Sequence, residues 1–391
     1  MSLSTVQPHA FNSEVGKAVN VEKSKLFSPV TNKSVTYKNR IVVPPMCMYS
    51  STDGFFNDFH LAHYASFAFK GVAAIIIEAT AVEPRGRITP HDAGLWSDEH
   101  IAPLKRIVDL IKTQGTIPAL QLAHAGRKAS TSSLWSGSKL VPELEGGWPN
   151  DIVGPSEIPF DESHGKPRAL TIPELDAIKQ KWVDAAIRAD KADIEVLEIH
   201  NAHGYLLQSF LSGNSNKRTD IYGGSLENRM RYPLEVIEAV RKVWPEHKPL
   251  WVRISGTDFK HPDTMERDEE GWDIYQSIEY AKALKKIGVD VIDVSGGGNR
   301  AKAAYSLFNF AKLYQVEMAN AIKHQANIAT AAVGRIIDPK DAEAVLKEDK
   351  ADYILVGRAH LNNSGWLNHA ARELGVSNVW ANQYERGQRA F

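Results

Sequence analysis

The amino-acid sequence predicts an α/β protein built as a single (β/α)8 TIM barrel with a long capping insertion after its third strand. Three observations support this fold class. Eight short, almost continuously apolar runs indicate strands that are buried on both faces. Amphipathic stretches with helical spacing lie between most of these runs. The 391 residues show no compositional break, and α/β barrels of this length fold as one domain.

Predicted strands and helices alternate along the chain. The strands occupy residues 41–45, 73–78, 117–122, 194–199, 250–254, 289–294, 327–333 and 353–356. The helices occupy residues 101–112, 173–191, 226–243, 272–287, 311–324 and 339–347. This repeated alternation favours a closed barrel over a doubly wound open sheet.

Four segments lie outside this alternation. Residues 1–24 are an N-terminal extension, and residues 375–391 are a C-terminal tail. Residues 123–171 are rich in Ser, Gly, Pro and Trp and follow the third strand on the side where barrels place their active sites. Loops of that length are usually lids or binding elements, so we expect this segment to cap the site. Residues 256–271 follow the fifth strand, and we expect their charged side chains to be solvated in a surface loop.

Composition excludes several classes of partner. The chain has 46 Lys and Arg against 47 Asp and Glu, a formal charge of -1, so it carries no electrostatic signature for nucleic acid or an anionic membrane. We therefore expect a small-molecule partner. The single cysteine, Cys47, excludes an intramolecular disulfide and a four-cysteine metal site, and it favours a reducing, cytoplasmic location. We expect neither a secretory signal nor a membrane span, because no stretch approaches ~18 apolar residues.

The most informative segment follows the fourth predicted strand and reads Glu-Ile-His-Asn-Ala-His-Gly-Tyr over residues 198–205. Carboxyl ends of barrel strands face the active site, so His200, His203 and Tyr205 would supply two donors and one acid to the same ligand. An alternative interpretation is that these side chains only tie buried loops together.

Other strand ends also present polar or flexible residues. Pro44, Pro45, Met46, Cys47 and Tyr49 follow the first strand, Ala79 follows the second, Gln121 ends the third and Arg253 ends the fifth. Gly334-Arg335 and Gly357-Arg358 follow the last two strands, where barrels often bind phosphate through backbone N–H groups. We therefore expect a phosphorylated ligand. No acidic residue in the adjacent strand is an obvious mate for Arg253, which favours a bound ligand as its partner over a structural carboxylate.

Ordered motifs spread over most of the chain resemble those of a known family. They read KNRI (38–41) with MCMY (46–49), FHLAHY (59–64), GRI (86–88), GLWSDE (94–99), QLAHAGRK (121–128), EIHNAHGY (198–205), SNKRTD (215–220), YGGS (222–225), VGR (356–358) and QYER (383–386). Together they resemble the Old Yellow Enzyme family of FMN-dependent ene reductases, most closely its thermophilic-like branch.

The resemblance implies an FMN lying across the top of the barrel. Pro44, Pro45, Met46, Cys47 and Ala79 would line the isoalloxazine, and Gln121 would hydrogen-bond its pyrimidine edge. Arg253 would lie by N1 and the C2 carbonyl, where the reduced ring carries negative charge. Gly334, Gly357 and Arg358 would hold the phosphate. No metal is implied.

The same resemblance implies a reaction. NADPH or NADH would reduce the flavin, leave, and be replaced by an activated alkene such as an α,β-unsaturated carbonyl, a nitroalkene or a maleimide. His200 and His203 would donate N–H to the substrate oxygen, with Tyr49 as a further donor, while Tyr205 would protonate the α-carbon. Cys47 would tune the flavin potential and the substrate fit. Arg386 matches a residue that in some relatives reaches a neighbouring subunit's pocket, which implies a homodimer or higher oligomer.

Three departures and two alternatives accompany this interpretation. Pro44 and Asn201 replace residues more usual in the branch, and residues 131–153 are longer than in compact members, so substrate scope cannot be transferred. One alternative is a metal-dependent barrel hydrolase with His200 and His203 as ligands, although a third ligand is missing at the neighbouring strand ends. The other is a flavin-carrying barrel that acts as a sensor without turnover.

Overall fold

Eight parallel strands close a barrel in the computed structural model, which describes residues 12–302 and 311–388. Within those ranges the strands are β1 (Val30–Asn32), β2 (Val35–Tyr37), β3 (Ile41–Val43), β4 (Ala74–Ala81), β5 (Ile117–Ala123), β6 (Val153–Gly154), β7 (Arg168–Ala169), β8 (Val196–Asn201), β9 (Leu250–Ser255), β10 (Val291–Ser295), β11 (Ala329–Ala332) and β12 (Tyr353–Leu355). The barrel order is β3-β4-β5-β8-β9-β10-β11-β12, and β12 pairs back with β3.

Helices separate the barrel strands and cover the outside of the barrel. In the described ranges they are α1 (Asp58–Ala68), α2 (Ile101–Thr113), α3 (Ile172–Lys191), α4 (Leu206–Leu211), α5 (Leu226–Val243), α6 (Ile274–Lys286), α7 (Val316–Ala326), α8 (Pro339–Lys347), α9 (Arg358–Asn362), α10 (Trp366–Glu373) and α11 (Glu385–Gln388). Closed parallel strands with intervening helices confirm the predicted (β/α)8 barrel, and all eight predicted strands are present.

Strand residues alternate between two hydrophobic cores. Inward-facing side chains form a cluster inside the barrel, which comprises Val42, Ala74, Ile76, Ala119, Val196, Trp251, Val291, Ala331, Tyr353 and Leu355 with Tyr37. Their outward-facing neighbours, such as Ile75, Leu197 and Val252, pack against the helices in a larger cluster. Burial on both faces explains why the strands are almost continuously apolar.

The helix predictions were less accurate than the strand predictions. The predicted helix over 311–324 begins at Val316, because Leu313 adopts a left-handed backbone conformation with φ of 62°. Helices α1, α4, α9, α10 and α11 were not predicted. In α1 the buried face includes His60 and Tyr64, so its apolar periodicity is weak.

The hairpin β1–β2 closes the end of the barrel where the strands begin. Its last residue, Tyr37, is fully buried and packs against Trp251 and Tyr353, with ring centroids 6.1 Å and 5.0 Å away. The site therefore lies at the opposite end, where the strands finish.

The two chain extensions meet each other. The N–H of Gly16 donates to the carbonyl of Val379 at 2.8 Å, and the N–H of Val379 donates to the carbonyl of Lys17 at 2.9 Å. Beyond this contact the chain ends in the exposed helix α11. Residues 1–11 of the predicted extension and 389–391 of the predicted tail lie outside the described residues. In the described ranges, no helix is long and apolar enough to cross a lipid bilayer.

The prediction for residues 256–271 was wrong for two carboxylates. Asp258 is fully buried and accepts hydrogen bonds from Gln208 Nε2 at 2.9 Å and Ser212 Oγ at 2.6 Å. Asp268 is buried as well and pairs with Arg300 at 2.8 Å. These contacts tie the loop to its neighbours, because a buried carboxylate must be paired or hydrogen-bonded. Asp263 is exposed, as expected.

Candidate functional site

A cavity of about 230 Å³ lies at the carboxyl ends of the barrel strands. Predicted site residues that line it are Pro44, Pro45, Met46, His203, Arg253, Gly334, Gly357 and Arg358. Ser295, Tyr314, Gln315 and Arg335 line it too. The structure therefore brings together residues from six strand ends that the sequence separates by up to about three hundred positions.

Strand geometry explains why these residues converge. Side chains alternate along a strand, so the inward-facing set continues to its tip. On β8 the inward set is Val196, Glu198 and His200, and on β9 it is Trp251 and Arg253. Each tip therefore adds one polar group above an apolar interior, as expected for the active-site end of a barrel.

The two glycine turns form one end of the cavity. Gly334 has φ of 119°, and a Cβ atom there would lie 2.6 Å from Gln315 Oε1. Gly357 precedes α9, so the first N–H groups of that helix have no intrahelical partner, and Arg358 and Ala359 at its start line the cavity. Arg335 and Arg358 add two guanidinium groups. These donors and cations fit a phosphate group.

Arg253 has a carboxylate mate, which corrects the sequence-based expectation. Its Nε lies 3.3 Å from Oδ2 of Asp293, which is fully buried and occupies the register position beside it on β10. The same Nε makes no hydrogen bond to any described residue, and the side chain lines the cavity. Asp293 could have been found, because it is a charged residue at an inward position of an apolar strand.

Gln121 and Glu198 continue this polar layer across the barrel. The Gln121 amide donates to Glu198 Oε1 at 2.8 Å, while Glu198 Oε2 and both carboxylate oxygens of Asp293 have no hydrogen-bond donor among the described residues. Burial raises the pKa of Glu198, the charge of Asp293 raises it further, and Arg253 opposes the increase. Sequence analysis assigned no role to Glu198, although it is a charged residue inside a predicted buried strand.

Cys47, Ala79 and Tyr49 lie close together where β3 and β4 end. The Ala79 backbone and the Tyr49 side chain are near the Cys47 thiol, and none of the three residues is among those that line the cavity. Burial raises the pKa of Cys47, so this residue is a thiol and not a thiolate at neutral pH. The ring of Tyr49 packs edge to face on Trp135, with centroids 5.5 Å apart, which places the predicted capping insertion beside a predicted substrate residue.

His200, His203 and Tyr205 lie together, as their spacing predicted. The His200 ring is 5.3 Å from that of His203 and 4.9 Å from that of Tyr205, both nearly perpendicular. The N–H of Ala202 donates to His200 Nδ1 at 3.2 Å, so the neutral ring carries its proton on Nε2. His203 Nε2 lies 2.7 Å from Ser295 Oγ. Burial and the nearby Arg253 lower the pKa of both histidines.

Lys128 is a functional candidate that the sequence analysis left without a role. Its Nζ donates to the carbonyls of His203 and Gly298, each at 3.0 Å, and lies 5.2 Å from the Tyr205 ring. Burial lowers the pKa of Lys128 to about 7. Phe160, also from the 123–171 segment, lies 4.2 Å from the same ammonium group. Lys128 thus fixes the backbone that carries the second histidine.

Arg386 does not reach this cavity within its own chain. It is exposed on α11, whose neighbour Tyr384 lies under the ammonium of Lys70 at 3.9 Å. Among the described residues, no group of three or more His, Cys, Asp or Glu side chains could hold a metal ion. His200 and His203 consequently lack a third protein ligand in that part of the chain.

Comparisons with known proteins agree with this geometry. A family model described as "NADH:flavin oxidoreductase / NADH oxidase family" matches residues 25–376. The chain is 44% identical over 365 residues to an NADPH dehydrogenase of Bacillus subtilis, covering 93% of this chain and 99% of that protein. It is 42% identical over 368 residues to an NADH:flavin oxidoreductase of Gibberella zeae, covering 93% and 89%.

Solved structures share the fold. Morphinone reductase in complex with tetrahydroNAD matches with a TM-score of 0.72 at 24% identity, covering 90% of this chain and 92% of that one. The sequence relatives confirm the resemblance to the Old Yellow Enzyme family, and with it FMN and NAD(P)H as cofactors. The chain belongs to the NADH:flavin oxidoreductase / NADH oxidase family and is an NAD(P)H-dependent flavin oxidoreductase of the Old Yellow Enzyme type.

Proposed function

We propose that this protein reduces carbon–carbon double bonds conjugated to a carbonyl or nitro group, with NADPH or NADH as electron donor. One observation carries the proposal: a neutral histidine with an available Nε2–H and a protonated tyrosine lie 4.9 Å apart at the tip of one barrel strand. A hydrogen-bond donor and an acid side by side are what a polarised alkene requires.

The cavity fits FMN. Bound FMN supplies a two-electron carrier that takes hydride from NAD(P)H and delivers it from N5 to an acceptor. Pro44, Pro45, Met46, Cys47 and Ala79 would line the ring, and Gln121 and Arg253 would contact its polar edge. Gly334, Gly357 and Arg358 would hold the phosphate. The apolar wall, the Nε of Arg253 that makes no hydrogen bond, and the glycine turns with two arginines support this assignment.

His200 is the better placed of the two polarising groups. Its Nδ1 already accepts a hydrogen bond from Ala202, so its single proton is on Nε2 and free for a substrate oxygen. The Nε2 of His203 is within hydrogen-bond distance of Ser295, so His203 contributes less in this conformation. A well-aimed donor of this type stabilises developing negative charge by about 3–4 kcal/mol.

Tyr205 is the proposed acid. Burial raises the pKa of Tyr205, so its hydroxyl group keeps its proton at neutral pH. The ammonium of Lys128, 5.2 Å from the ring, would stabilise the phenolate that remains after proton transfer. Burial likewise raises the pKa of Tyr49, which would act as a further neutral donor to the substrate oxygen.

The proposal extends to the surroundings of the site. Trp135 and Phe160 support a capping role for residues 123–171, because they contact Tyr49 and Lys128 respectively. Arg386, exposed and remote in its own chain, supports a homo-oligomer in which it enters a neighbouring site. The single cysteine supports a cytoplasmic location.

Tyr205→Phe tests the proposal in stopped-flow experiments on the FMN-loaded protein. We expect flavin reduction by NADPH to keep its rate, while reoxidation by cyclohexenone slows by about 10²–10⁴-fold. Tyr275→Phe, at a partly exposed tyrosine outside the cavity, serves as the control and should match the wild type in both half-reactions. Equal slowing of both half-reactions would remove Tyr205 from the acid role. If NADPH reduces the flavin of the wild-type protein but no enone or nitroalkene reoxidises it, the alternative of a flavin-carrying sensor without turnover is favoured.

A further inference from the structure

A buried charged layer lies directly beneath the cavity, and the proposed reaction assigns no role to two of its members. Glu198 on β8 and Asp293 on β10 are both fully buried and interact electrostatically, and Oε2 of Glu198 and both carboxylate oxygens of Asp293 have no hydrogen-bond donor among the described residues. Asp293 lies 3.3 Å from Arg253, and Glu198 accepts from Gln121 at 2.8 Å. Arg253 and Gln121 are the residues proposed to contact the polar edge of the flavin, so the carboxyl pair lies immediately behind them.

The charge count of this layer depends on a single proton. With both carboxyl groups ionised, Arg253 would have two anionic neighbours, and the layer would carry a net negative charge. With one proton between them, Asp293 alone balances Arg253, and the layer is neutral. Two ionised carboxylates in contact away from water are strongly unfavourable, so the protonated arrangement is preferred.

The groups around the pair leave no other source of compensating charge among the described residues. Gln121 from β5 and Trp251 from β9 are neutral, and β3, β4, β11 and β12 contribute apolar side chains, including Val42, Ile76, Ala331 and Leu355, to the barrel interior. His200 and His203 lie beyond Arg253 and are neutral, because burial and Arg253 lower the pKa of each. Arg253 is therefore the one cation that acts directly on the pair within the described chain.

We propose that Glu198 and Asp293 form a proton-sharing pair that controls how much of the positive charge of Arg253 is available to the reduced flavin. This inference rests on the proposed position of the flavin edge over Arg253. Glu198 and Asp293 are positioning residues in this role, since they touch neither cofactor nor substrate and act through Arg253.

The proton and electron balance of the step is simple. A hydride from NAD(P)H would bring two electrons and one proton to the flavin, and the ring would gain negative charge beside Arg253. Where the pair has lost its shared proton, this new charge draws one proton from solvent, and an O–H bond forms on a carboxyl oxygen of the pair. Burial raises the pKa of both carboxyl groups, and the charge of Asp293 raises that of Glu198 further, in the direction that this uptake needs; at Asp293, Arg253 and the contact with Glu198 oppose the increase.

The test is the midpoint potential of the bound flavin against pH, measured by equilibration with reference dyes from about pH 6 to about pH 9.5. Each proton taken up with two electrons adds about 30 mV per pH unit to the slope. We expect the wild-type slope to steepen by this amount toward alkaline pH. Glu198→Gln keeps the contact with Gln121 and imitates the protonated acid, so its potential should match the wild type at acid pH and lie above it at alkaline pH.

The second carboxylate gives an independent arm. In Asp293→Asn, Glu198 alone can balance Arg253, so the layer stays neutral and the extra slope should again disappear. In the double variant Glu198→Gln/Asp293→Asn no carboxylate remains, and the potential should rise at every pH by about 30 mV or more, a tenfold shift toward the reduced form. Trp251→Phe changes packing on β9, the strand of Arg253, without changing any charge. The flavin potential and its pH slope in this variant should be those of the wild type.

Two results would overturn the proposal. In the first, the wild-type plot of potential against pH does not steepen and runs parallel to the plots of both single variants. In the second, the double variant has the same potential as the wild type. Arg253→Met separates such a failure from a failure of the proposed function. If Arg253→Met lowers the potential or loses FMN, the flavin lies at this arginine. The failure then means that the Glu198–Asp293 pair does not affect the flavin potential. An unchanged potential in Arg253→Met shows instead that the flavin edge is not there.

Discussion

His200 is the residue whose chemistry is most tightly fixed by its surroundings. The backbone N–H of Ala202 fixes its tautomer, and its position at an inward-facing strand tip fixes its direction. Because burial and Arg253 lower its pKa, His200 stays neutral and remains a single donor over the physiological pH range. A neutral donor stabilises an oxyanion without first binding it as an ion pair.

Removing this donor should impair the acceptor reaction alone. We expect His200→Ala to slow alkene reduction by about 10²–10³-fold and to weaken the binding of a phenolic ligand, followed through the flavin absorbance. His203→Ala should have a smaller effect in the same direction, because Ser295 engages its Nε2. FMN content should be unchanged in both. His324→Ala, at an exposed histidine on α7, is the control. Full activity in both site variants would exclude the polarising role.

Glu78 should make the stability of the protein depend on pH. Its carboxylate accepts from the N–H of Met48 and the hydroxyl of Tyr64, and burial raises the pKa of Glu78 to about 8. An unfolded glutamate titrates near ~4.3, so the folded state binds the proton more tightly. The contribution to the free energy of unfolding is complete below about pH 4, and it is lost as the pH rises through about 8.

Urea unfolding at about pH 5, 7 and 9 measures this effect. The wild type should lose more stability between pH 5 and pH 9 than Glu78→Gln, whose amide does not titrate and whose oxygen can still accept from the Tyr64 hydroxyl. Glu99→Gln, at an exposed glutamate, should follow the wild type. Parallel curves for the wild type and Glu78→Gln would show that Glu78 does not titrate in this range.

The sequence predicted the strand-tip residues but not all of their partners. His200, Arg253 and Gly357 were predictable, because each follows an apolar run at the point where a barrel strand must end. The pairing of Arg253 with Asp293 joins residues 40 positions apart, and it depends on the register of β9 against β10. No local pattern contains that register, so the sequence shows Asp293 as a charged residue in an apolar strand but does not pair it with Arg253.

Gly334 shows how a backbone element controls the proposed phosphate end. Its φ of 119° is strained for any residue with a Cβ, and that atom would lie 2.6 Å from Gln315 Oε1. Gly224 also has a positive φ, 83°, but a Cβ there would have open space. Both glycines thus need a positive φ, but only at Gly334 would a Cβ atom collide with a neighbouring side chain.

This difference predicts different outcomes for the same substitution. Gly334→Ala and Gly224→Ala should each cost about 1–2 kcal/mol of stability through backbone strain. Only Gly334→Ala should also weaken FMN binding, by about tenfold or more, because relieving the contact moves either the turn or the Gln315 side chain, and both line the cavity. Quenching of FMN fluorescence on titration with apoprotein measures the affinity. Equal FMN affinity in the two variants would contradict the assignment of this turn to the phosphate.

Elements with strong periodicity were predicted best. Helix α5 has the predicted limits, Leu226–Val243, since its apolar positions follow helical spacing from a Ser225 N-cap. Helix α4 was missed because it spans 206–211 directly after Tyr205 and all its residues are buried, which leaves no polar face to mark it. Burial of Asp258 was missed for a related reason: its donors come from 208–214 and 299, outside its own loop.

For the whole molecule, the proposed oligomer can be tested by complementation. If Arg386 enters a neighbouring site, Arg386→Ala should weaken substrate binding, and Tyr205→Phe should remove proton transfer. A mixed oligomer contains sites that combine Tyr205 from one subunit with Arg386 from the other. Coexpression should therefore restore activity above that of either variant alone, with light scattering as the measure of assembly. Absence of recovery in a confirmed mixed oligomer would place the role of Arg386 elsewhere.

Tyr37, Trp251 and Tyr353 seal the floor of the barrel, and this has a consequence for traffic through the site. In the described structure, a molecule that has reached the strand tips can leave only through the doorway by which it came. The electron donor and the electron acceptor must therefore bind one after the other through the same opening. A tightly held product should act as a dead-end inhibitor against both of them, since neither can displace it from behind.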